Sequence, residues 1–244
     1  MKRKMTTQET RKEENPLVSI IIATYKQHTS LPITIRSALN QTYPNVEIVV
    51  VFVKEDTETI EVLTDFVADV TLKICDKADY VVQRNAGVLA CSGKWFSWVD
   101  SDDYVLPGKI QADMAVALKE KAYVVYSPLL QADQHFNIVD FIKTEDFSYE
   151  ALTKNCFITD SSLTLKNMLY EFGLDGTKGD MAFYDLWLRI AEKYPDRIKM
   201  NMFPGLVYCQ HEGQMSRQVP KPERDRRRAA VVAESLERVR NKNV

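Results

Sequence analysis

No run of the 244-residue sequence approaches the ~18 apolar residues that a transmembrane helix needs. The opening stretch, Met1 to Asn15, is charged and has no apolar centre, so it reads neither as a signal peptide nor as a membrane anchor. Cysteine is sparse: Cys75, Cys91, Cys156 and Cys209 stand far apart, with no CxxC pair and no histidine at metal-ligand spacing. That counts against a structural zinc site and a disulfide framework, and fits a reducing compartment. Neither sign of charge dominates, since 32 Lys+Arg against 34 Asp+Glu leave a formal net charge of −2. No global field therefore draws the chain to nucleic acid or to an anionic membrane, and any anionic ligand must be held locally. Between Ala23 and Thr29 there is no glycine-rich phosphate loop, which counts against a nucleotidyltransferase. Internal repeats and low-complexity tracts are also absent. The expected location is cytoplasmic, or peripheral at a membrane surface.

What is present is an ordinary globular composition, 45% hydrophobic and 27% charged, on a chain long enough for one sizeable α/β core. Val18-Ser-Ile-Ile-Ile-Ala23 and Val46-Glu-Ile-Val-Val-Val-Phe-Val53 are continuous, β-branched runs of the kind that form strands buried on both faces. Between them a helix is predicted from near Ser30, with Pro32 in its first turn where a missing N–H costs nothing. A second helix over Thr57–Ala68 and a third strand over Val70–Cys75 follow. Strand, helix, strand, helix implies βαβ units and a mainly parallel sheet flanked by helices. Ligands of such sheets bind beyond the carboxyl ends of the strands, which brings forward Thr24-Tyr25 and the segment Phe52 to Asp56. A strand over Lys94–Val99 runs straight into Asp100-Ser-Asp-Asp103. Helices are predicted over Gly108–Lys121 and Tyr184–Tyr194, a strand over Tyr123–Tyr126, and irregular structure with a short hairpin over Ser127–Asp146. Beyond Pro220 and Pro222, Arg224–Arg240 reads as a separate helix with Ala229, Val232, Leu236 and Val239 on one stripe. Such a helix packs on its own domain; contact with a second copy or with a membrane surface through its arginines is the sharper alternative.

The chemistry concentrates at Asp100, Asp102 and Asp103. Like charges this close repel unless something positive stands between them. A hard divalent cation, Mn²⁺ or Mg²⁺, accepts carboxylate oxygens and leaves positions open for phosphate oxygens and water. The competing reading is an acidic turn that caps the next helix, and a DxD triplet alone does not decide between them.

The ordered set Val18-Ser-Ile-Ile-Ile-Ala-Thr-Tyr25, Ser37-Ala-Leu-Asn-Gln-Thr-Tyr-Pro44, Arg84-Asn-Ala-Gly87, Val99-Asp-Ser-Asp-Asp103, Tyr184-Asp-Leu-Trp-Leu-Arg189 and Tyr208-Cys-Gln-His-Glu-Gly-Gln-Met-Ser-Arg217 resembles the family 2 glycosyltransferases over roughly residues 17–217. The resemblance implies a GT-A fold. It divides the chain into a tail over 1–15, a transferase domain over 16–217 (donor half 16–109, acceptor half 110–217) and a linker with a terminal helix over 218–244. It also implies transfer of a sugar, with inversion, from a nucleoside-diphosphate sugar such as a UDP-sugar to a hydroxyl of a polysaccharide, lipid-linked or protein glycan. Carried over by position, Thr24 and Tyr25 line the nucleotide pocket, Arg84 and Asn85 lie near the diphosphate, and Asp100 contacts ribose or donor sugar. Asp102 is the metal ligand with Asp103 beside both, and His211 reaches metal or phosphate, or is simply a hydrogen-bonded loop histidine.

Two positions depart from the family pattern. Phe52 and Val53 replace the acidic pair that usually follows the second strand, so either Glu55 or Asp56 supplies the acceptor for the base from a shifted loop, or the base is held differently. The catalytic base, expected six residues before Arg189, is Phe183, which cannot take a proton. Asp180 and Asp185 are the available substitutes, with Asp180 preferred because it follows Gly179. A second reading is a degenerate member that binds a nucleotide sugar or glycan, or partners an active transferase. Loss of two acids favours that reading; the retained Asp100-Ser-Asp-Asp103 opposes it.

Overall fold

The computed structural model describes residues 15–214 and 218–242. Its centre is a seven-stranded sheet in the order β10-β6-β9-β4-β1-β2-β3. The elements are β1 (Val18–Ala23), α1 (Leu31–Leu39), β2 (Val46–Val53), α2 (Thr57–Leu63), β3 (Thr71–Cys75), α3 (Tyr80–Ala90), β4 (Trp95–Asp100), β5 (Tyr104–Val105), α4 (Lys109–Lys119), β6 (Val124–Tyr126), β7 (Leu129–Ala132), β8 (Ile138–Ile142), α5 (Tyr149–Lys154), β9 (Leu163–Leu165), α6 (Lys166–Phe172), α7 (Ala182–Lys193), β10 (Ile198–Met200), β11 (Leu206–Cys209) and α8 (Lys221–Lys242). β1 pairs in parallel with β2 on one side and β4 on the other, and β2 with β3. Only β9 runs antiparallel to its neighbours β4 and β6. The two halves of the chain thus share one sheet, and β4, which carries the acidic turn, sits at its middle.

The continuous apolar runs make sense in that position. Ile20 and Ile22 of β1 face a core with Val50, Leu31, Ile35 and Ile110, while Ile21 faces the opposite core with Val51, Trp98 and Trp187. Each large side chain so buried contributes roughly 1.5–3 kcal/mol. Asp79 caps α3 by accepting the N–H groups of Val81 and Val82, both at 2.9 Å. Gly87 lets that helix lie against the sheet, since a Cβ there would stand 2.4 Å from Ile21 Cγ2. The glycine of the Arg84-Asn-Ala-Gly87 motif is therefore what sets the height of Arg84 above the sheet.

Several boundaries differ from expectation. α2 ends at Leu63 and tightens into a 3-10 turn over Thr64–Phe66, and α3 begins four residues before Arg84 because Asp79 is its cap. β9, β10 and β11 are only three or four residues long, too short to show a period in sequence. The hairpin expected within Ser127–Asp146 is β7–β8, part of a second sheet ordered β5-β11-β7-β8. All four cysteines are free.

The terminal helix α8 packs on α7, but only partly through the expected stripe. Val231 and Ser235 are its buried residues, whereas Leu236 and Ala229 are exposed. Ser235 Oγ donates to Glu192 Oε1 at 2.7 Å, Arg238 Nη2 reaches the same oxygen at 2.8 Å, and Arg227 Nη1 pairs with Asp180 at 2.9 Å. Val231 and, of the stripe, Val232 pack against the core while polar groups make the rest of the docking, so apolar periodicity caught only the edge of the buried face. No helix among the described residues is long and apolar enough to cross a membrane.

Candidate active site

The carboxyl ends of β1 and β4 open onto a cavity of about 440 Å³ lined by Tyr25, Tyr80, Arg84, Asp100 to Asp102, Asp180 and Tyr208, with others. Parallel pairing places Ala23 beside Asp100, so the turn after β1 and the acidic turn after β4 face one another by register. The Thr24 N–H is bonded to Val51 O at 2.9 Å, and Gln83 Nε2 reaches Thr24 O at 2.9 Å. Thr24 itself is buried, and its hydroxyl is one of several buried polar atoms with no hydrogen-bond partner among the described residues. Tyr25 stands exposed at the rim. Lys26 adopts φ +56°, and its N–H donates to the Asp56 carboxylate, which also accepts from Thr59 Oγ1 at 2.7 Å. Burial works against the Asp56 charge, but these hydrogen bonds win and lower its carboxyl below the ordinary value. Asp56 is thus committed to closing the turn that carries Tyr25. Phe52 and Val53 are buried, with Phe52 packing into the core.

Arg84 is buried beneath the cavity. Its guanidinium lies 3.6 Å from the Tyr80 ring centroid and bonds the Asp100 carboxylate through Nη2. Burial opposes its charge, but Tyr80, Asp100 and Asp160 outweigh that and hold it more firmly protonated than usual. Arg84 Nε is also without a partner. Asn85 is half-buried one position along α3 and is not among the cavity-lining residues.

The three acids divide into distinct environments. Asp102 lines the cavity, and its Oδ2 lies 2.7 Å from His211 Nε2. Burial and the Asp100 charge raise its carboxyl despite the histidine. β11 delivers His211 here because it pairs with β5, which follows the acidic turn directly. The rest of that C-terminal motif, Met215 to Arg217, lies outside the described residues, as do Met1 to Glu14 and Asn243–Val244. Asp103 is buried beneath, where it accepts the Cys209 N–H at 2.9 Å. Burial first, then Asp100 and Asp102, push its carboxyl well above the ordinary range. The ligand atoms of all three acids lie within 4.8 Å of one another. Oxygen donors with one imidazole suit a hard divalent cation, and the carboxylate repulsion here is what such an ion relieves.

A raised carboxyl pKa in the fold means that ionising Asp103 opposes folding. That burden is absent below the unfolded value of about 3.9 and grows as pH rises toward the folded value. Asp103→Asn keeps an oxygen for the Cys209 N–H and removes the charge. It is expected to raise the thermal midpoint of the metal-free chain at pH 8 by about 2–4 °C for each kcal/mol recovered. Scanning calorimetry across pH should show the gain shrinking to nothing by about pH 4; a constant gain would contradict the assignment.

The two substitutes for the base are not equivalent. Asp185 is 2% exposed on α7 and pairs with Arg189 Nε at 2.7 Å, away from the cavity. Asp180 lines the cavity, but Arg227 of α8 holds its carboxylate. Phe183 is buried with its ring centroid 4.7 Å from that of Trp98. Two residues outside the sequence expectation complete the site. Tyr80 lies one turn before Arg84, and its hydroxyl donates to Asp160. Asp160, in the loop before β9, stands 3.8 Å from Arg84 Nη2. The signal for Asp160 was a polar Thr159-Asp-Ser-Ser162 stretch between apolar neighbours, which is weak in isolation.

A family model described as glycosyl transferase family 2 matches residues 19–175. The chain belongs to that family. Among its relatives, the Escherichia coli protein named UDP-Glc:alpha-D-GlcNAc-diphosphoundecaprenol beta-1,3-glucosyltransferase WfaP is 31% identical over 215 residues, covering 82% of this chain and 80% of its own. WfgD of the same organism, named for the same activity, is 26% identical over 72% of this chain and 70% of its own. An uncharacterized Rickettsia typhi glycosyltransferase is 32% identical, and there the match spans only 62% of the relative. The crystal structure of S. aureus TarS in complex with UDP-GlcNAc superposes with a TM-score of 0.71 at 17% identity, over 90% of this chain and 66% of that one. At that identity the superposition speaks for the GT-A fold of this family 2 chain.

Proposed function

We propose that this family 2 chain transfers a sugar, with inversion, from a UDP-sugar to a hydroxyl of a diphospholipid-linked glycan at a membrane surface. One observation carries the reading: the turns after β1 and β4, with α3 beneath them, bring Tyr25, Arg84, Asp100 and Asp102 to one cavity whose buried base includes a guanidinium. A cavity of about 440 Å³ falls in the usual range for small-molecule sites. The lipid-linked acceptor and the uridine donor are taken from what WfaP and WfgD are named for. The partnerless Thr24 hydroxyl and Arg84 Nε are buried groups for which an anionic, hydroxyl-bearing ligand offers acceptors.

Tyr25 at the rim offers the base a face to stack on, in place of the acidic pair that Phe52 and Val53 displaced. Arg84, held charged by its neighbours, favours a diphosphate over a neutral ligand, and Asp100 accepts hydroxyls of the ribose or sugar. Asp102 and His211 would hold Mn²⁺ or Mg²⁺, with Asp103 setting the turn from below. When bound, the ion neutralises charge that develops on the leaving diphosphate. The same fold without turnover would bind donor and release nothing, so the deciding experiment separates the two. Purified protein with Mn²⁺, a panel of UDP-sugars and a short-chain diphospholipid-linked N-acetylglucosamine is expected to release UDP from one donor only when acceptor is present. Donor binding by calorimetry without UDP release would instead support the degenerate reading, and no binding by any UDP-sugar would sink both.

A further inference from the structure

We infer that Asp160 is the catalytic base, the carboxylate that takes the proton of the acceptor hydroxyl, in place of the position occupied by Phe183. The inference rests on the transferase reading above and adds to it the residue that the reading lacks.

Phe183 fills its place completely. It is 2% exposed, stacks edge-on to Trp98, and lies 6.1 Å from the Tyr80 ring centroid with the Arg84 guanidinium 5.7 Å from its own. Tyr80 and Arg84 are the same two residues that hold Asp160, one by a hydrogen bond and the other at 3.8 Å. A carboxylate has therefore re-entered the shell around position 183 from a different segment of chain. The side chain keeps 28% of its exposure, enough to meet a substrate.

Its surroundings differ from those of the donor. Asp160 lines a second cavity of about 420 Å³ with Trp98, Leu129 and Ile158, and that cavity shares Asp100 and Tyr208 with the donor cavity. The second cavity is lined by Asp100 and Asp103 as well, so an acceptor bound in it would lie directly beside the donor site. The other carboxylates are otherwise engaged: Asp180 with Arg227, Asp185 with Arg189, and Asp103 with the Cys209 N–H.

The loop bearing Asp160 is clamped from beneath. Ser161 O accepts both Lys109 Nζ and Ser97 Oγ at 2.7 Å, and Thr159 Oγ1 lies 2.9 Å from Ser161 Oγ. A base fixed in this way needs little reorganisation at the moment of reaction. The ionisable groups facing it are Tyr80 and Arg84 from α3, Asp100 and Asp103 from the acidic turn, Cys156 from its own loop, Asp180 before α7, Tyr184 on α7, Tyr208 on β11, and Lys221, Arg224, Asp225 and Arg228 from α8. Burial, opposed by Arg84 and aided by Asp100, pushes its carboxyl up to about 6. Such a group is ionised at neutral pH yet holds a proton better than an ordinary carboxylate, which suits a general base.

In the step itself, a carboxylate oxygen of Asp160 takes the proton of the acceptor hydroxyl while an electron pair of the hydroxyl oxygen forms the new bond to the anomeric carbon. The bond from that carbon to the β-phosphate oxygen breaks, and its electron pair leaves on UDP. Asp160 ends protonated and returns the proton to solvent.

The test uses the full chain with Mn²⁺, UDP-glucose and the other UDP-sugars, and the short-chain diphospholipid-linked N-acetylglucosamine. Asp160→Asn is expected to lower kcat by about 10²–10⁴-fold with the UDP dissociation constant unchanged and the chain still folded by circular dichroism, and to remove the acid limb near pH 6 from kcat/KM. Asp160→Glu should recover part of kcat. Tyr80→Phe keeps the carboxylate but removes a hydrogen bond to its charged form, so the acid limb should move to higher pH. Wild-type turnover retained within about threefold by Asp160→Asn, or an acid limb unmoved in both variants, would overturn the assignment and leave the transferase reading standing. A wild-type chain that neither binds a UDP-sugar nor releases UDP would overturn both.

Discussion

Asp102→Ala is expected to lower metal-dependent UDP release by about 10²–10³-fold, the usual cost of losing one preorganised electrostatic partner of a developing charge. The reason lies in the position of its Oδ2, on the cavity surface and 2.7 Å from His211 Nε2, where the two side chains can share one cation. Its carboxyl is raised by burial and by Asp100, so its charge opposes folding until a positive ion arrives. Alanine removes that repulsion along with the ligand, and the metal-free thermal midpoint should stay level or rise slightly. Manganese titration followed by calorimetry or electron paramagnetic resonance reads the effect without turnover. The variant should bind the ion at least tenfold more weakly, and His211→Ala should show the same direction. Unchanged manganese affinity would remove Asp102 from the ligand set and return the triplet to the role of an acidic turn.

Lys109→Met should destabilise the fold by about 3–5 kcal/mol, because it strips the partner from a buried charge. Lys109 is 1% exposed, yet its Nζ donates to Asp113 Oδ2 at 2.6 Å and to Ser161 O at 2.7 Å. Asp113 is equally buried and passes its other oxygen to Asn201 Nδ2 at 2.9 Å. Removing the ammonium leaves the buried Asp113 with Asn201 but without its cationic partner, and frees the segment beside Asp160. In a domain of this size the loss corresponds to a fall of about 10 °C or more in the thermal midpoint. The double variant Lys109→Met with Asp113→Leu should recover most of the stability, since a buried pair exchanged for apolar residues is often neutral or better. Chemical denaturation of the four members of this cycle measures the coupling. The rescued double variant should still turn over more slowly than wild type, because Ser161 O keeps only the Ser97 hydroxyl of its two donors; a double variant with full kcat would show that the Lys109 clamp does not matter for the reaction.

The parallel core was legible because burial on both faces leaves a run such as Val18-Ser-Ile-Ile-Ile-Ala23 no polar positions. The structure reproduces the two leading strands over the same residues, Val18–Ala23 and Val46–Val53. Strand ends then localised the crevice, and the order of the motifs brought Asp100 and Asp102 forward. The three-residue strands β9 and β10 and the four-residue β11 were not legible, since so few residues carry no period. The face of α8 was only partly legible: Val232 of the apolar stripe does pack against the core, but Val231 and the polar Ser235 and Arg238, which dock the helix on Glu192, lie outside that stripe.

What the sequence determined by itself is the layered α/β frame and the place of the acidic triplet at the end of an apolar strand, because both follow from local periodicity; that this strand is the central one came from the pairing order. Only the tertiary structure decided which partner each acid meets. Asp102 meets His211 across 109 positions, Arg84 lies beneath Asp100, and Asp160 enters beside Phe183 from a loop 23 residues upstream. Those encounters arise from the crossing order of strands and from buried polar anchors such as Lys109. The strength of a carboxylate's environment depends on what surrounds it in space, and sequence spacing does not carry that information.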